Sequence, residues 1–208
     1  SVDSESQLYY CFGCHKGGTV FNFVMDMERM EFYDAVKYLA ERAHMDLPED
    51  DRGGAGQRLS NSDRDAIYEA NVTSARFFHS LLWTEEGAEA LNYLYSRGLN
   101  DHDIKKGGLG ASPRGWDTLT THLEKQGFDR QLLKRAGLCV EKDGRYYDMF
   151  RGRVMFPIIS PQGRVLGFGG RIMGDGNPKY LNTSDTPVFN KRQGLYALNM
   201  ARKERGLK

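Results

Sequence analysis

The chain has 208 residues, enough for one or two domains with a real core, and its hydrophobic content of 39% is ordinary. No apolar run is long enough to make a membrane helix or a secretory h-region, and three cysteines, two of them three positions apart, are no disulfide framework, so a reducing, cytoplasmic setting is expected. The net charge of +1 hides an asymmetry: residues 151–208 carry 11 Lys and Arg against 3 Asp and Glu, while the first 150 carry 18 against 25. A basic final quarter suggests a polyanion-binding surface, with a solvated charged face as the plain alternative.

Residues 1–18 read as a strand end followed by the turn YYCFGCHKGG. Cys11 and Cys14 stand at C-x-x-C spacing, and Phe12 and Gly13 let both thiolates face one pocket, the knuckle of a tetrahedral zinc site. A redox pair would sit at a helix start after a strand in a βαβ pattern; two inert buried thiols are the third reading. His15 would have to fold its ring back onto the turn, so it reads as an exposed loop residue, and Cys139 reads as a small buried hydrophobe. The knuckle therefore supplies two of four ligands. The chain opens at Ser1 without an initiator Met and is expected to be a piece of something longer.

Val20, Phe21, Phe23, Val24 and Met27 predict a buried helical stripe from Thr19 to about Met27, and Phe32, Ala35, Val36, Leu39 and Ala40 a second over Glu31 to Ala43. So small a unit buries little apolar surface, which suits a metal staple. LPEDDRGGAGQRLSNSD, residues 47–63, has no apolar period and reads as a linker at a domain boundary. A helical region opens at Ser62 or Asp63 and continues through GAEALNYLYSRGL. Shorter helical patterns follow at WDTLTTHLEKQG and DRQLLKRAGL, with Gly127 and Gly137 as C-caps.

Beyond residue 144 the period changes to alternation punctuated by Gly and Pro, giving an α+β chain overall. VMFPIIS and RVLGFGG predict an antiparallel hairpin across Pro161–Gly163, and a last helix is expected near Gly194. FRGRVMFP places Arg151 and Arg153 two apart, on one face of a strand. GFGGR removes side chains around Phe168, so that a ligand can approach the backbone before Arg171. NPKYLNT then gathers Lys179, Tyr180 and Asn182. Cations interleaved with an aromatic suit a single nucleic-acid strand, phosphates neutralised and bases stacked. The alternative is a structural hairpin whose glycines are bulges and whose tyrosine is core. GFGGR matches neither a Walker loop nor G-x-G-x-x-G.

The ordered set YYCFGCHKGG, YL-x-x-RGL, YYDMFRGRVMFPI, GRVLGFGGR, NPKYLNTSDTPVF-x-K and LYAL resembles bacterial DNA primases of the DnaG type over essentially the whole chain. The resemblance implies a zinc-binding domain with a Cys-x-x-His pair and a later Cys-x-x-Cys pair. Cys11 and Cys14 match the second, and the first would lie upstream of Ser1. It implies that residues 1–46 are part of that domain, a partial zinc ribbon with helices, and that 47–62 are the linker. Residues 63–208 would be the N-terminal subdomain of the RNA polymerase domain, helical and antiparallel-sheet in mixture, preceding a TOPRIM fold outside this chain. Arg97, Arg151, Arg153, Arg171, Lys179, Tyr180 and Lys191 match positions whose family role is contact with template and incoming nucleotide, with Asn182 beside them.

The implied activity is synthesis of short RNA primers from ribonucleoside triphosphates on single-stranded DNA at the replication fork, a nucleotidyltransferase reaction with the replicative helicase as partner and no membrane. Mg²⁺ would be held by TOPRIM acids beyond Lys208. No catalytic residue is expected here, since Asp175 and Asp185 are the only acids between Arg151 and Ala201. GGLGASP departs from the family, which carries an aromatic before Ala-Pro. The second reading is a standalone, non-enzymatic single-strand-binding module with a degenerate zinc knuckle.

Overall fold

The computed structural model describes residues 1–28, 30, 32–45 and 61–191, which divide between two units, 1–53 and 54–208. In the first, β1 (Val2–Asp3), β2 (Leu8–Tyr10) and β3 (Gly17–Thr19) form an antiparallel sheet in that order. The cysteine loop joins β2 to β3 and is closed by Cys11 N–H donating to Lys16 O at 2.8 Å and His15 N–H to Cys11 O at 2.9 Å. Helix α1 (Val20–Glu28) follows at once. The Asn22 side chain reaches back to accept from the Thr19 amide at 3.0 Å, which satisfies one of the donors a helix start leaves over.

Helix α2 (Phe32–Ala43) has the predicted extent, but the stripe expected on α1 is only partly buried. Val24 is buried, whereas Val20, Phe23 and Met27 are exposed and line an apolar hollow of about 690 Å³ with residues of β1 and β2. A unit this small has too little partner surface to cover a full helical face.

The second unit is organised by α3 (Asn61–Leu82). Ile67, Ala70, Asn71, Ser74 and Phe78 recur at helical spacing and are all buried. The small residues in that stripe let the helix lie close to the main sheet. Asn71 then donates from its amide nitrogen to the carbonyls of Val165 and Leu166, both at 3.1 Å, and Phe78 meets Phe168 edge-on at 5.3 Å.

The chain continues through α4 (Ala88–Ser96), α5 (Asp101–Gly107), β4 (Gly110–Ala111), α6 (Thr118–Glu124) and α7 (Arg130–Arg135). It then forms β5 (Cys139–Lys142), β6 (Arg145–Asp148), β7 (Arg153–Ile159), β8 (Val165–Ile172) and β9 (Tyr180–Asn182). The main sheet is antiparallel with order β4-β7-β8-β9, and β5 and β6 pair separately. The β7–β8 hairpin forms as expected, its turn closed by Gly163 N–H donating to Ser160 O at 2.9 Å. Pro157 lies in β7 past the two residues that pair with β4, where its missing N–H breaks no ladder on that side. Of the expected linker, residues 47–60 lie outside the described residues and 61–62 are already the first turn of α3; the helix expected near Gly194 also lies outside them.

In the second unit α5, the β5–β6 hairpin and β4 are not singled out by the sequence reading, and the first two carry signals. Helix α5 opens on a capping box, Asn100 accepting from Asp103 N–H at 3.0 Å and Asp103 from Asn100 N–H at 3.2 Å, and ends on Gly108 at φ 61°. The β5–β6 hairpin turns on Asp143-Gly144, with φ of 51° and 72°, the two-residue loop such a pair favours. The third, β4, has only two residues and no period to show. Its glycine is nonetheless required: a Cβ on Gly110 would sit 2.6 Å from the Phe78 carbonyl carbon of α3.

Helix α6 begins two residues later than the sequence pattern began. Its first turn is capped from a distance by Asp148 of β6, which accepts from Leu119 N–H at 2.8 Å, Thr120 N–H at 2.9 Å and Thr120 Oγ at 2.7 Å. Burial raises this carboxyl above its ordinary range, while those donors pull the other way. Gly110→Ala is expected to destabilise the second unit by about 1–3 kcal/mol, because backbone cannot yield as a side chain can. Urea unfolding would read this as a lowered midpoint at unchanged slope.

Candidate nucleic-acid interface

Antiparallel register sorts the basic residues. Cross-strand partners share a face, and side chains alternate along each strand. Phe156 pairs with Gly169 and Gly169 with Asn182; Val154 pairs with Arg171 and Arg171 with Tyr180. One face therefore carries Phe156, Arg171, Tyr180 and Asn182, with the bare backbone of Gly169 between them. Phe189 and Lys191, on the loop after β9, complete a hollow of about 320 Å³ with Phe156, Tyr180 and Asn182. Asp185 secures that loop by accepting from Lys191 N–H at 2.8 Å. Tyr180 is 65% exposed, so its ring is no core residue.

The glycines of GFGG divide in the same way. Gly167 and Gly170 are closed against neighbours, since a Cβ would meet Thr183 Cβ or Arg153 Cδ at 2.9 Å. Gly169 and Gly170 both line the hollow, and on Gly169 a Cβ would meet the movable Asn182 amide. Gly167 is the one glycine of the three that does not line it.

Arg151 and Arg153 do not share a strand face. Strand β7 starts at Arg153, and Gly152, at φ 58°, turns the chain between them. Arg153 is 5% exposed and donates from Nη1 to Pro178 O at 3.0 Å and Gly170 O at 3.3 Å, clasping the sheet from within. Burial first, and the nearby Arg151 charge second, lower its pKa. Arg151 instead donates to Asp148 O and lies over the ring of Trp116, 4.8 Å from its centroid. Trp116 is 66% exposed. The sequence reading folded it into a helical pattern; the signal missed was a lone indole between Gly115 and Asp117.

The remaining cations sit nearer the sheet face. Arg171 lies over the ring of Tyr93 of α4 at 4.1 Å, and Arg97 follows Tyr93 by one helical turn. Lys179 is exposed beside Tyr180. Four of the eight expected residues thus stand together on one face (Arg171, Tyr180, Asn182, Lys191), Arg97 and Lys179 border it, Arg151 belongs to a separate Trp116 patch and Arg153 is interior.

The knuckle forms in the first unit. Cys11 and Cys14 are exposed, and the Cys14 and Gly13 amides, followed by the Cys14 thiol, hydrogen-bond to the Cys11 sulfur and hold its pKa below the usual thiol value. His15 turns away, its Nδ1 3.0 Å from the Tyr10 hydroxyl. Among the described residues no group of three or more His, Cys, Asp or Glu is placed to hold a metal. Cys139 is buried, and burial, with the Asp148 charge adding, pushes its thiol up to about 12.

The family described as DNA primase catalytic core, N-terminal domain, matches residues 77–202. The chain belongs to this family, the DnaG-type DNA primases. The CHC2 zinc finger family matches residues 1–54, so the first unit is of a zinc-binding kind, and Cys11 and Cys14 are the only cysteines in that stretch. Two thiols on a knuckle, one sulfur already receiving backbone amides, fit two corners of tetrahedral zinc.

A DNA primase from Pseudomonas aeruginosa is 44% identical over 98% of the chain, which spans 31% of that protein. The DnaG primase catalytic domain solved bound to ssDNA is 39% identical, with a TM-score of 0.65 over 68% of this chain and 44% of that one. The Aquifex aeolicus primase, solved with its zinc-binding and RNA polymerase domains, is 32% identical, with a TM-score of 0.58 over 95% of this chain and 46% of that one. The chain spans about a third of the length of the curated relatives it matches.

Iodoacetamide at neutral pH without zinc is expected to label Cys11 and Cys14 and to leave Cys139 unmodified until the fold is opened. Peptide mass spectrometry reads the three sites separately, and native labelling of Cys139 would contradict the burial described here.

Proposed function

We propose that the chain is the zinc-binding and template-handling part of a DNA primase that makes short RNA primers from ribonucleoside triphosphates on single-stranded DNA. The observation that carries this is the convergence of Tyr180, Asn182 and Lys191 around a hollow of about 320 Å³, with Arg171 next to Tyr180 on the same sheet face. Cations there neutralise phosphates, and Tyr180 offers a stacking face that any base can use. Membership of the primase family and the likeness to a primase domain solved with ssDNA support the same reading.

In this reading residues 1–46 form the zinc unit, residues 47–62 the linker and residues 63–208 the N-terminal polymerase subdomain. Cys11 and Cys14 hold half of a structural zinc, which staples the loop between β2 and β3. The Mg²⁺ of phosphoryl transfer, which neutralises charge at the nucleotide phosphates, is held by carboxylates outside the described residues. Asp148 is committed to α6 and Asp185 to its own loop. The partners are a single-stranded template, ribonucleoside triphosphates and the replicative helicase, in the bacterial cytoplasm. No helix among the described residues is long and apolar enough to cross a membrane.

Salt-dependent binding of a labelled oligothymidylate tests this. Lys179→Gln and Lys191→Gln should each flatten the slope of log K against log salt by about 0.7, one phosphate contact apiece. Tyr180→Ala should weaken binding by about 1–3 kcal/mol with the slope nearly unchanged. Arg171 is a poorer probe than the lysines, since its loss also uncovers Tyr93. Wild-type affinity and slope in all three variants would remove the sheet face from the template path.

A further inference from the structure

Arg171 differs from the other cations of the sheet face in how it is held. No carboxylate pairs with it among the described residues; its Nη1 makes one long bond to Ile172 O at 3.4 Å, and its buried Nε has no hydrogen-bond partner there. What fixes the guanidinium is the ring of Tyr93, 4.1 Å from it, on a helix that packs from outside the sheet. Strand register sets Arg171 beside Tyr180 on the neighbouring strand, while the one ring that lies against its guanidinium is that of Tyr93. Its charge is left uncompensated and its Nη2 without a protein acceptor among the described residues.

We infer that Tyr93 is a positioning residue, holding the Arg171 guanidinium over its ring so that the cation is presented to the phosphate next to a base stacked on Tyr180. This rests on the proposed reading of the sheet face as a template site. A flexible arginine loses side-chain freedom when it engages a phosphate, and a cation already held on an aromatic face has lost it beforehand. Phosphate is the chemistry recognised; it can come from the strand backbone or from a nucleoside triphosphate, and the test separates them. Arg97, the C-cap of α4, follows Tyr93 by four residues and adds a second cation near that end of the helix.

The test is a double-variant cycle on the chain with labelled oligothymidylate across a salt series, each variant checked for an unchanged unfolding midpoint. Tyr93→Leu should weaken binding about fivefold, the scale of a cation held on a ring. It should also flatten the salt slope toward that of Arg171→Gln, with Tyr93→Phe restoring both. The double variant Tyr93→Leu/Arg171→Gln should bind no more weakly than Arg171→Gln alone. Additive losses in the double variant, or an equal loss in Tyr93→Phe and Tyr93→Leu, would overturn the inference.

If Tyr93→Leu fails to fold, the wild-type chain decides by ¹⁵N NMR of the Arg171 Nε–H. A shift on adding oligothymidylate assigns the strand phosphate, a shift with ATP alone assigns the nucleotide phosphate, and no shift with either overturns the inference. A wild-type chain that binds neither oligothymidylate nor ATP overturns the functional reading and the inference with it. Binding that is indifferent to Tyr93→Leu overturns the inference alone.

Discussion

The second unit depends on how closely α3 lies against the main sheet. Ala70 and Ser74 keep the buried stripe of the helix low, and Gly110 lets β4 reach the helix backbone at Phe78. Asn71 replaces the hydrogen bonds that water would have given to the β8 carbonyls. Each of these is a condition on distance. Any larger side chain at Ala70 or Gly110 would lift helix from sheet, leaving a buried amide without acceptors and Phe78 without Phe168, and interiors packed at crystal density do not absorb such a shift. With its inner face sealed in this way, the hairpin is rigid enough to hold Arg171, Tyr180 and Asn182 in register on the other.

Burial, more than charge, distinguishes the arginines of the basic quarter. Arg153 spends its donors on Gly170 and Pro178 and serves as an internal clasp. Arg151 lies over an exposed indole and Arg171 over a half-buried phenol ring, each leaving part of the guanidinium outward. Lys179 and Lys191 are solvated. A count of basic residues treats the five alike, yet only those whose charge meets solvent can exchange counterions for phosphates. The knuckle in the first unit follows a related rule: backbone amides turned onto the Cys11 sulfur hold its pKa below the usual thiol value.

Much of this was legible in the sequence, and the gaps have physical causes. The apolar spacing of α1, α2 and α3 and the Pro-Gly punctuation of the β7–β8 turn speak through local rules, and the cysteine turn does so through ligand spacing. What local rules miss is partner geometry. Alternation put Arg151 and Arg153 on one face, but Gly152 at positive φ reverses the chain between them, a backbone choice that a two-residue period does not encode. Trp116 was absorbed into α6 because the cap of that helix comes from Asp148, more than two dozen residues later. Tyr93 reads as one of two tyrosines on α4 until β8 brings Arg171 over it. The capping box of α5 and the Asp-Gly turn of β5–β6 are local signals, but neither flanks a strong apolar period that would mark it.

The bond from Asn71 to Val165 joins positions ninety-four residues apart in the chain. At a synthesis rate of roughly 5–20 residues per second, α3 leaves the ribosome on the order of 5–20 seconds before the strand it seals against. For that interval its small-residue stripe and Phe78 have no sheet to cover them, and only contacts with nearer helices can shield them. Contacts of such long sequence separation also slow the final closure, because the loop must be brought together before any of them forms. The unit is therefore most vulnerable to misassociation while it is being made, and the last strands to emerge complete a surface that the first helix has held open.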